Sequence, residues 1–237
     1  MARSCHRKSR ASARLTLLLL ALSVSAPGAR ADPPAAFPRA GGINWNAIAV
    51  RSEPTAAAPR IGLLHEFRSD YRHQVVFALG EKLGTDSRLW YRVLLSQRPN
   101  GTTGWVRADG VDVRPVTTTI VVRRSARTLE VQRRGETIFR TTVAVGAPGT
   151  ETPLGRFYLM TEFRPTDSFY GTWGFETSAY SRTLTDWPGG GKIGIHGTSA
   201  PELLGQAVSH GCIRVSNTAA TRLHALVSPG TALEIVR

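Results

Sequence analysis

The chain has 237 residues, only two cysteines (Cys5 and Cys212) and a formal net charge of +13 at pH 7. Two cysteines exclude a disulfide-built scaffold. Its arginines are scattered, with no lysine-rich block and no nucleic-acid motif, so nucleic acid is not an expected partner. The first 14 residues carry Arg3, Arg7, Lys8, Arg10 and Arg14 without an acid, Leu15 to Val24 is a short apolar run, and Ala29-Arg30-Ala31 supplies small residues for cleavage. This pattern predicts a secretory signal peptide over 1–31. The apolar run is shorter than the ~20 residues of a bilayer-spanning helix, so no lasting membrane span is expected after cleavage. Removing this segment takes away six basic residues and lowers the formal charge to +7. The mature chain then keeps Cys212 as its single thiol. A lone thiol in an exported protein asks for a reason.

Residues 32–41 are rich in Ala, Pro and Gly and read as a linker. From Gly42 to Pro115 short strands alternate with turns. Val75 to Leu79 and Leu89 to Leu95 are apolar strand candidates, and Pro99-Asn100-Gly101 marks a hairpin turn before Gly104-Trp105-Val106. Asn100-Gly101-Thr102 also fits a glycosylation acceptor, but the turn is the simpler reading. Trp90, Tyr91 and Trp105 either fill a small core, the favoured reading, or form a ligand shelf. The stretch Glu66 to Gln74 (EFRSDYRHQ) is too polar to fit the strand pattern. Val50-Arg51-Ser52-Glu53-Pro54, Trp90-Tyr91-Arg92-Val93 and Gly104-Trp105-Val106 together resemble the bacterial SH3-like domain. That resemblance implies a small β-barrel over 42–115, of a type often found holding peptidoglycan.

A second unit over 117–237 begins with β runs at Ile120-Val121-Val122, Thr128 to Gln132 and Thr137 to Val145. Arg133 to Glu136 is the turn between two of them. Phe157 to Met160 gives a further strand. Residues 163–192 carry Tyr170, Trp173, Phe175, Tyr180, Trp187 and three successive glycines, and read equally as a lid over a site or as a structured hairpin. Ile193-Gly194-Ile195 forms a strand that delivers His196. The chain then runs to Ser209-His210-Gly211-Cys212-Ile213-Arg214, and Asn217 caps a helix. A thiol needs an imidazole, a positive charge or a helix N-terminus to act as a nucleophile near neutrality. This stretch supplies candidates for each. Gly211 permits a tight turn whose amides could face an oxyanion, and Arg214 offers a planar fork for a carboxylate. Ser209, Arg214 and Asn217 are the substrate-binding candidates. Zinc held by His196, His210 and Cys212 is a poor alternative, because two ligands crowd within three residues and no acid joins them.

His196, Ser209-His210-Gly211-Cys212 and Asn217, with Thr152-Pro153-Leu154-Gly155-Arg156-Phe157 and Ile193-Gly194-Ile195-His196-Gly197 upstream, resemble the L,D-transpeptidase catalytic domain over roughly 117–237. The resemblance implies a mainly β, sandwich-like fold with a few short helices. It implies Cys212 as nucleophile and His196 as base oriented by the Gly197 carbonyl, which leaves the Gly211 and Cys212 amides as oxyanion support and His210 for substrate or oxyanion support. No cofactor or metal is called for. The implied partners are peptidoglycan stem peptides and the cell wall, and the implied location is the periplasm, wall or medium, with the chain a monomer. Three alternatives stay open: an L,D-carboxypeptidase sharing the same thioester, a papain-like wall peptidase, and a noncatalytic wall-binding protein. The papain-like order would place the cysteine before the histidine.

Overall fold

The computed structural model describes residues 1–2, 36–186 and 189–237; the expected signal peptide, apart from its first two residues, and the linker up to residue 35 lie outside this range. Seven antiparallel strands come first: β1 (Arg39–Ile43), β2 (Ala47–Arg51), β3 (Arg60–His65), β4 (Val76–Leu83), β5 (Leu89–Leu94), β6 (Thr103–Arg107) and β7 (Val111–Pro115). They form one sheet in the order β3-β2-β6-β5-β4-β1-β7. Burial alternates along β2 and β6, as period-two side chains require when one face meets a core. The sheet encloses Ile48, Val50, Val76, Ala78, Tyr91, Val93 and Val106.

One expectation changes here and another is met. Residues 39–41, read as the end of a linker, belong to β1, where Arg39, Ala40 and Gly41 pair with both β4 and β7. Strand pairing on both sides overrides the turn-like composition. Trp90 and Tyr91 are buried, with the Trp90 indole N–H bonded to Asp86 Oδ1 at 3.1 Å. They fill the interior instead of forming a shelf.

The second half adds β8 (Thr118–Arg123), β9 (Thr128–Arg133), β10 (Glu136–Thr142), β11 (Val145–Gly146), β12 (Gly155–Phe163), β13 (Gly174–Tyr180), β14 (Lys192–His196), β15 (Ala207–Ser209), β16 (Ile213–Arg214), one helix α1 (Asn217–His224) and β17 (Ala232–Val236). Eight of these strands make a mixed sheet in the order β10-β9-β8-β17-β12-β13-β14-β16, and β11 pairs with β15. Within the larger sheet β8/β17 and β14/β16 are parallel. Ile120, Val122, Leu129, Phe157, Leu159, Phe175, Ile193, Ile195, Ile213 and Leu233 pack with Ala219, Ala220 and Leu223 of α1. Within the 163–192 segment, Gly174–Tyr180 forms β13, which pairs with β12 on one side and β14 on the other.

Ala36–Arg237 is one unit, because the two sheets share apolar surface. In β4, Val76 and Ala78 face the first core, whereas Phe77 points the other way and joins Val75, Leu94, Tyr158, Met160 and Ala232. The rings of Phe77 and Tyr158 stack with centroids 5.0 Å apart. A strand covered on both faces reads as a continuous apolar run, which is how Val75 to Leu79 stands in the sequence. A second tie comes from the turn between β5 and β6. The Asn100 side-chain amide donates to the Tyr180 carbonyl at 2.7 Å and accepts from its N–H at 2.9 Å, and Arg98 Nη2 donates to the carbonyls of Leu184 and Gly190.

Candidate active site

The thiol and the imidazole are brought together by strand register. In β14 and β16, Ile195 pairs with Ile213 and His196 with Arg214. Paired residues of neighbouring strands point to the same face, and alternate residues to opposite faces. Ile193, Ile195 and Ile213 go into the core. Gly194, His196, Cys212 and Arg214 therefore share the other face. The Gly194 N–H donates to Cys212 Sγ at 3.4 Å. His196 and Cys212 both line one cavity of about 470 Å³, with Phe163, Tyr170, Phe175 and Gly194 among its other walls.

His196 is buried, and its Nδ1 lies 2.6 Å from the Gly197 carbonyl oxygen. A carbonyl can only accept, so Nδ1 carries the proton and Nε2 is left as the basic nitrogen. Burial pulls the imidazole down to about 4; the Gly197 bond opposes this, and the Arg214 guanidinium adds to it. The ring is walled by Tyr170, edge-on at 5.0 Å between centroids. Tyr170 sits on a short 3-10 turn, Ser168–Tyr170, opened by Asp167, whose carboxylate accepts from the Phe169 N–H.

Cys212 does not rest as a stabilised thiolate. Burial pushes the thiol up, and this outweighs the opposing Gly194 N–H and Arg214 charge. The cap of the following helix is also one residue earlier than expected. Ser216, not Asn217, caps α1, its Oγ accepting from the Ala219 N–H at 3.1 Å. Asn217 instead spends its Oδ1 on the N–H groups of Thr172 and Thr198. It ties the loop after His196 to the turn after Tyr170, and its Oδ1 lies where a side chain at Gly171 or Gly197 would go. Asn217 thus positions the histidine loop and does not line the cavity.

The turn carrying the thiol is bonded internally. Ser209 Oγ donates to the Cys212 carbonyl at 2.6 Å and accepts from the Gly211 N–H at 3.1 Å. Both expectations for this pair need correction: Ser209 is buried and engaged with the turn, and the Gly211 amide is engaged there too, so neither faces substrate or an oxyanion. Gly211 has φ +113°, a backbone that side chains strain to adopt, and a Cβ there would meet Ile193 Cδ1 at 2.7 Å. His210 is exposed and is not among the residues lining the cavity. Arg214 is buried with its guanidinium 4.9 Å over the Phe169 ring, and its Nε makes no hydrogen bond among the described residues.

Thr152 explains the Thr-Pro-x-Gly element in physical terms. Its fully buried hydroxyl donates to the Gly211 carbonyl at 2.8 Å and accepts from the Gly146 N–H at 2.9 Å. Thr152→Val should leave both backbone groups unpaired, lowering stability by about 2–4 kcal/mol and loosening the thiol turn. Thr152→Ser should retain most of both. Urea unfolding midpoints of the two variants check this.

Three further residues that no motif singles out, Arg68, Glu176 and Lys192, line the cavity. Their signal was the misfit polar stretch at 66–74 and the single lysine two residues before Gly194.

The profile of the YkuD family, the L,D-transpeptidase catalytic domain, matches residues 117–235. The YkuD protein of Bacillus subtilis (strain 168), provisionally named an L,D-transpeptidase, is 28% identical over 161 residues, covering 65% of this chain and 92% of its own length. Its Bacillus licheniformis counterpart, named the same way, is 28% identical over 162 residues with the same coverage. Among solved structures, an L,D-transpeptidase from Mycobacterium tuberculosis H37Rv aligns with 70% of this chain and 91% of its own, at 15% identity and a TM-score of 0.45, a likeness too loose to add to the family match. On the profile match, which takes in half the chain, the protein belongs to the family of L,D-transpeptidase catalytic domains.

Proposed function

We propose that this chain is an exported peptidoglycan L,D-transpeptidase that works through a Cys212 thioester, with His196 as its base. The observation that carries the proposal is the pairing on one strand: Gly194 holds Sγ, and two residues on, His196 has Nδ1 locked to Gly197 and Nε2 unprotonated. Because the thiol is raised and the imidazole lowered, the proton stays on sulfur at rest. It moves to Nε2 as sulfur attacks, so nucleophile formation is coupled to the arrival of a carbonyl. Sulfur adds to the carbonyl carbon of a stem peptide where an L-configured centre is joined to a D-residue. The carbon–nitrogen bond then breaks, Nε2 returns its proton to the leaving amine, and a thioester remains. An amine from a neighbouring stem adds to the thioester, its proton passes to Nε2, and sulfur leaves and recovers that proton.

With the Gly211 amide engaged, the Cys212 amide is the better candidate for the oxyanion; His210 is exposed and outside the residues that line the cavity. Arg214 is buried and is not itself among the residues lining the cavity; its Nε, unbonded among the described residues, is what suits it to a substrate carboxylate. The signal-like N-terminus and the wall-associated SH3-like motifs support action outside the cytoplasm. Among the described residues no helix is long and apolar enough to cross a membrane.

The test is incubation of the purified protein with a tetrapeptide-stem muropeptide. A cross-linked dimer with release of the terminal D-residue is expected. A shortened monomer alone would make the enzyme a carboxypeptidase, and no product with retained binding to wall sacculi would make it a wall-binding protein.

A further inference from the structure

The cleft is not built by the catalytic sheet alone. Arg68, in the connection between β3 and β4, lines the same cavity as Cys212 and His196. That connection is a small hairpin: Phe67 bridges to His73, and the Arg68 N–H donates to the Arg72 carbonyl at 2.8 Å. Its backbone is therefore held in place, and the stretch is polar because most of it is exposed to solvent, with Arg68 as its one residue lining the cavity.

Arg68 Nη2 donates to both oxygens of Glu176, at 3.0 and 2.8 Å. Lys192 Nζ donates to the same carboxylate at 2.5 Å and lies 3.4 Å from Ser96 Oγ. Burial alone would raise Glu176, but these two cations hold it below its ordinary value, so it remains an anion. Asp70, at the outer edge, also meets Arg68 Nη2 at 3.3 Å but is shared with Arg72 at 3.2 Å and does not line the cavity. The cavity wall itself thus presents two cations to one carboxylate. Arg68 Nη1 is buried and has no hydrogen-bond partner among the described residues. Buried donors are nearly always partnered, so this one has capacity unspent.

Lys192, Gly194 and His196 occupy alternate positions of β14 and so lie on one face. Gly194 contacts the sulfur. Two residues of strand advance about 7 Å, which puts the cationic pair one side-chain length from the reacting carbonyl, on the side away from His196. From this we infer that Arg68 and Lys192, bridged by Glu176, form a subsite for a carboxylate at the end of the acyl donor's side chain. The first sheet is then a wall of the enzyme's cleft and helps select its substrate. The shared core around Phe77 and Tyr158 keeps that wall in register with the catalytic strand. This rests on the peptide-binding reading above.

Equilibrium binding to the full mature chain carrying Cys212→Ala tests it without turnover. Two synthetic tetrapeptides serve as probes, identical except that the donor side chain ends in a carboxylate in one and a carboxamide in the other. The carboxylate peptide is expected to bind about tenfold more tightly, as a charge-assisted hydrogen bond provides. Adding Arg68→Gln should bring that ratio close to one while leaving the carboxamide peptide within about twofold, and Arg68→Lys should keep part of the ratio. Equal affinities in the parent, an equal weakening of both peptides in Arg68→Gln, or no binding of either would overturn the subsite. A purely structural ion pair would lower the unfolding midpoint and weaken both peptides alike. Wild-type turnover of the same peptides is read separately. If they bind with the expected preference but are not consumed, the proposed activity fails and the subsite stands.

Discussion

Cys212→Ala should lower turnover of a stem peptide by about three orders of magnitude or more, because it removes the atom on which the acyl group is carried. The fold should survive. Among the described residues Sγ has one hydrogen bond, from the Gly194 N–H, and the turn around it is held by Ser209 and Thr152 through backbone groups that alanine keeps. Unfolding midpoints within about 1 kcal/mol of wild type are expected, as for a small trimming at a half-buried site. Cys212→Ser should be nearly as inactive. His196, held at about 4, is too weak a base to take a proton from an alcohol, which parts with it less readily than a thiol does. Substantial turnover in either variant would remove the thiol from the mechanism.

His196 gives the second large effect. His196→Gln should cost about 10²–10⁴ in kcat/KM, the usual range for loss of a general base. It should leave peptide affinity nearly unchanged. The pH profile is more specific. A base held at about 4 is half neutral at that pH, so kcat/KM should persist well below pH 6 and fall only as pH 4 is approached. An ordinary histidine would lose activity near 6.5. Stability should follow the same group. The unfolded imidazole takes up a proton near 6.5, whereas the folded one resists until about 4. Between those values the unfolded chain binds more protons, so stability from this group is complete above pH 6.5 and is lost as pH falls toward 4. The loss amounts to about 3 kcal/mol. Urea midpoints at pH 7 and pH 4.5 should differ less in His196→Gln than in wild type.

Much of this site is legible in the chain because its chemistry is carried by short, ordered motifs. Ile193 to His196 alternates core and cleft side chains, and Ser209 to Cys212 can only be a turn at Gly211. What the sequence hides is how polar groups are spent. Ser209 and Asn217 look like groups for substrate, yet their oxygens go to backbone N–H groups a few residues or a loop away. Nothing in spacing along the chain distinguishes a hydroxyl facing a ligand from one closing a turn. The fate of the thiol is hidden for a related reason. Arg214 and a nearby helix suggest a thiolate, but the balance is decided by burial. Arg68 is the hardest to foresee. It is 108 residues from Glu176, and its place in the cleft depends on Phe77 and Tyr158 locking two sheets that the sequence presents as separate units. The misfit of residues 66–74 with a strand pattern was the available sign.

The most direct test is the intact mass of the protein after rapid mixing with a tetrapeptide-stem donor and quenching in acid. A covalent adduct equal to the donor less its terminal D-residue is expected, mapping to the peptide that contains residue 212, with the D-residue released in equal amount. Release of that residue with no adduct on the wild-type chain at any mixing time, together with undiminished release by Cys212→Ala, would contradict acyl transfer through this sulfur.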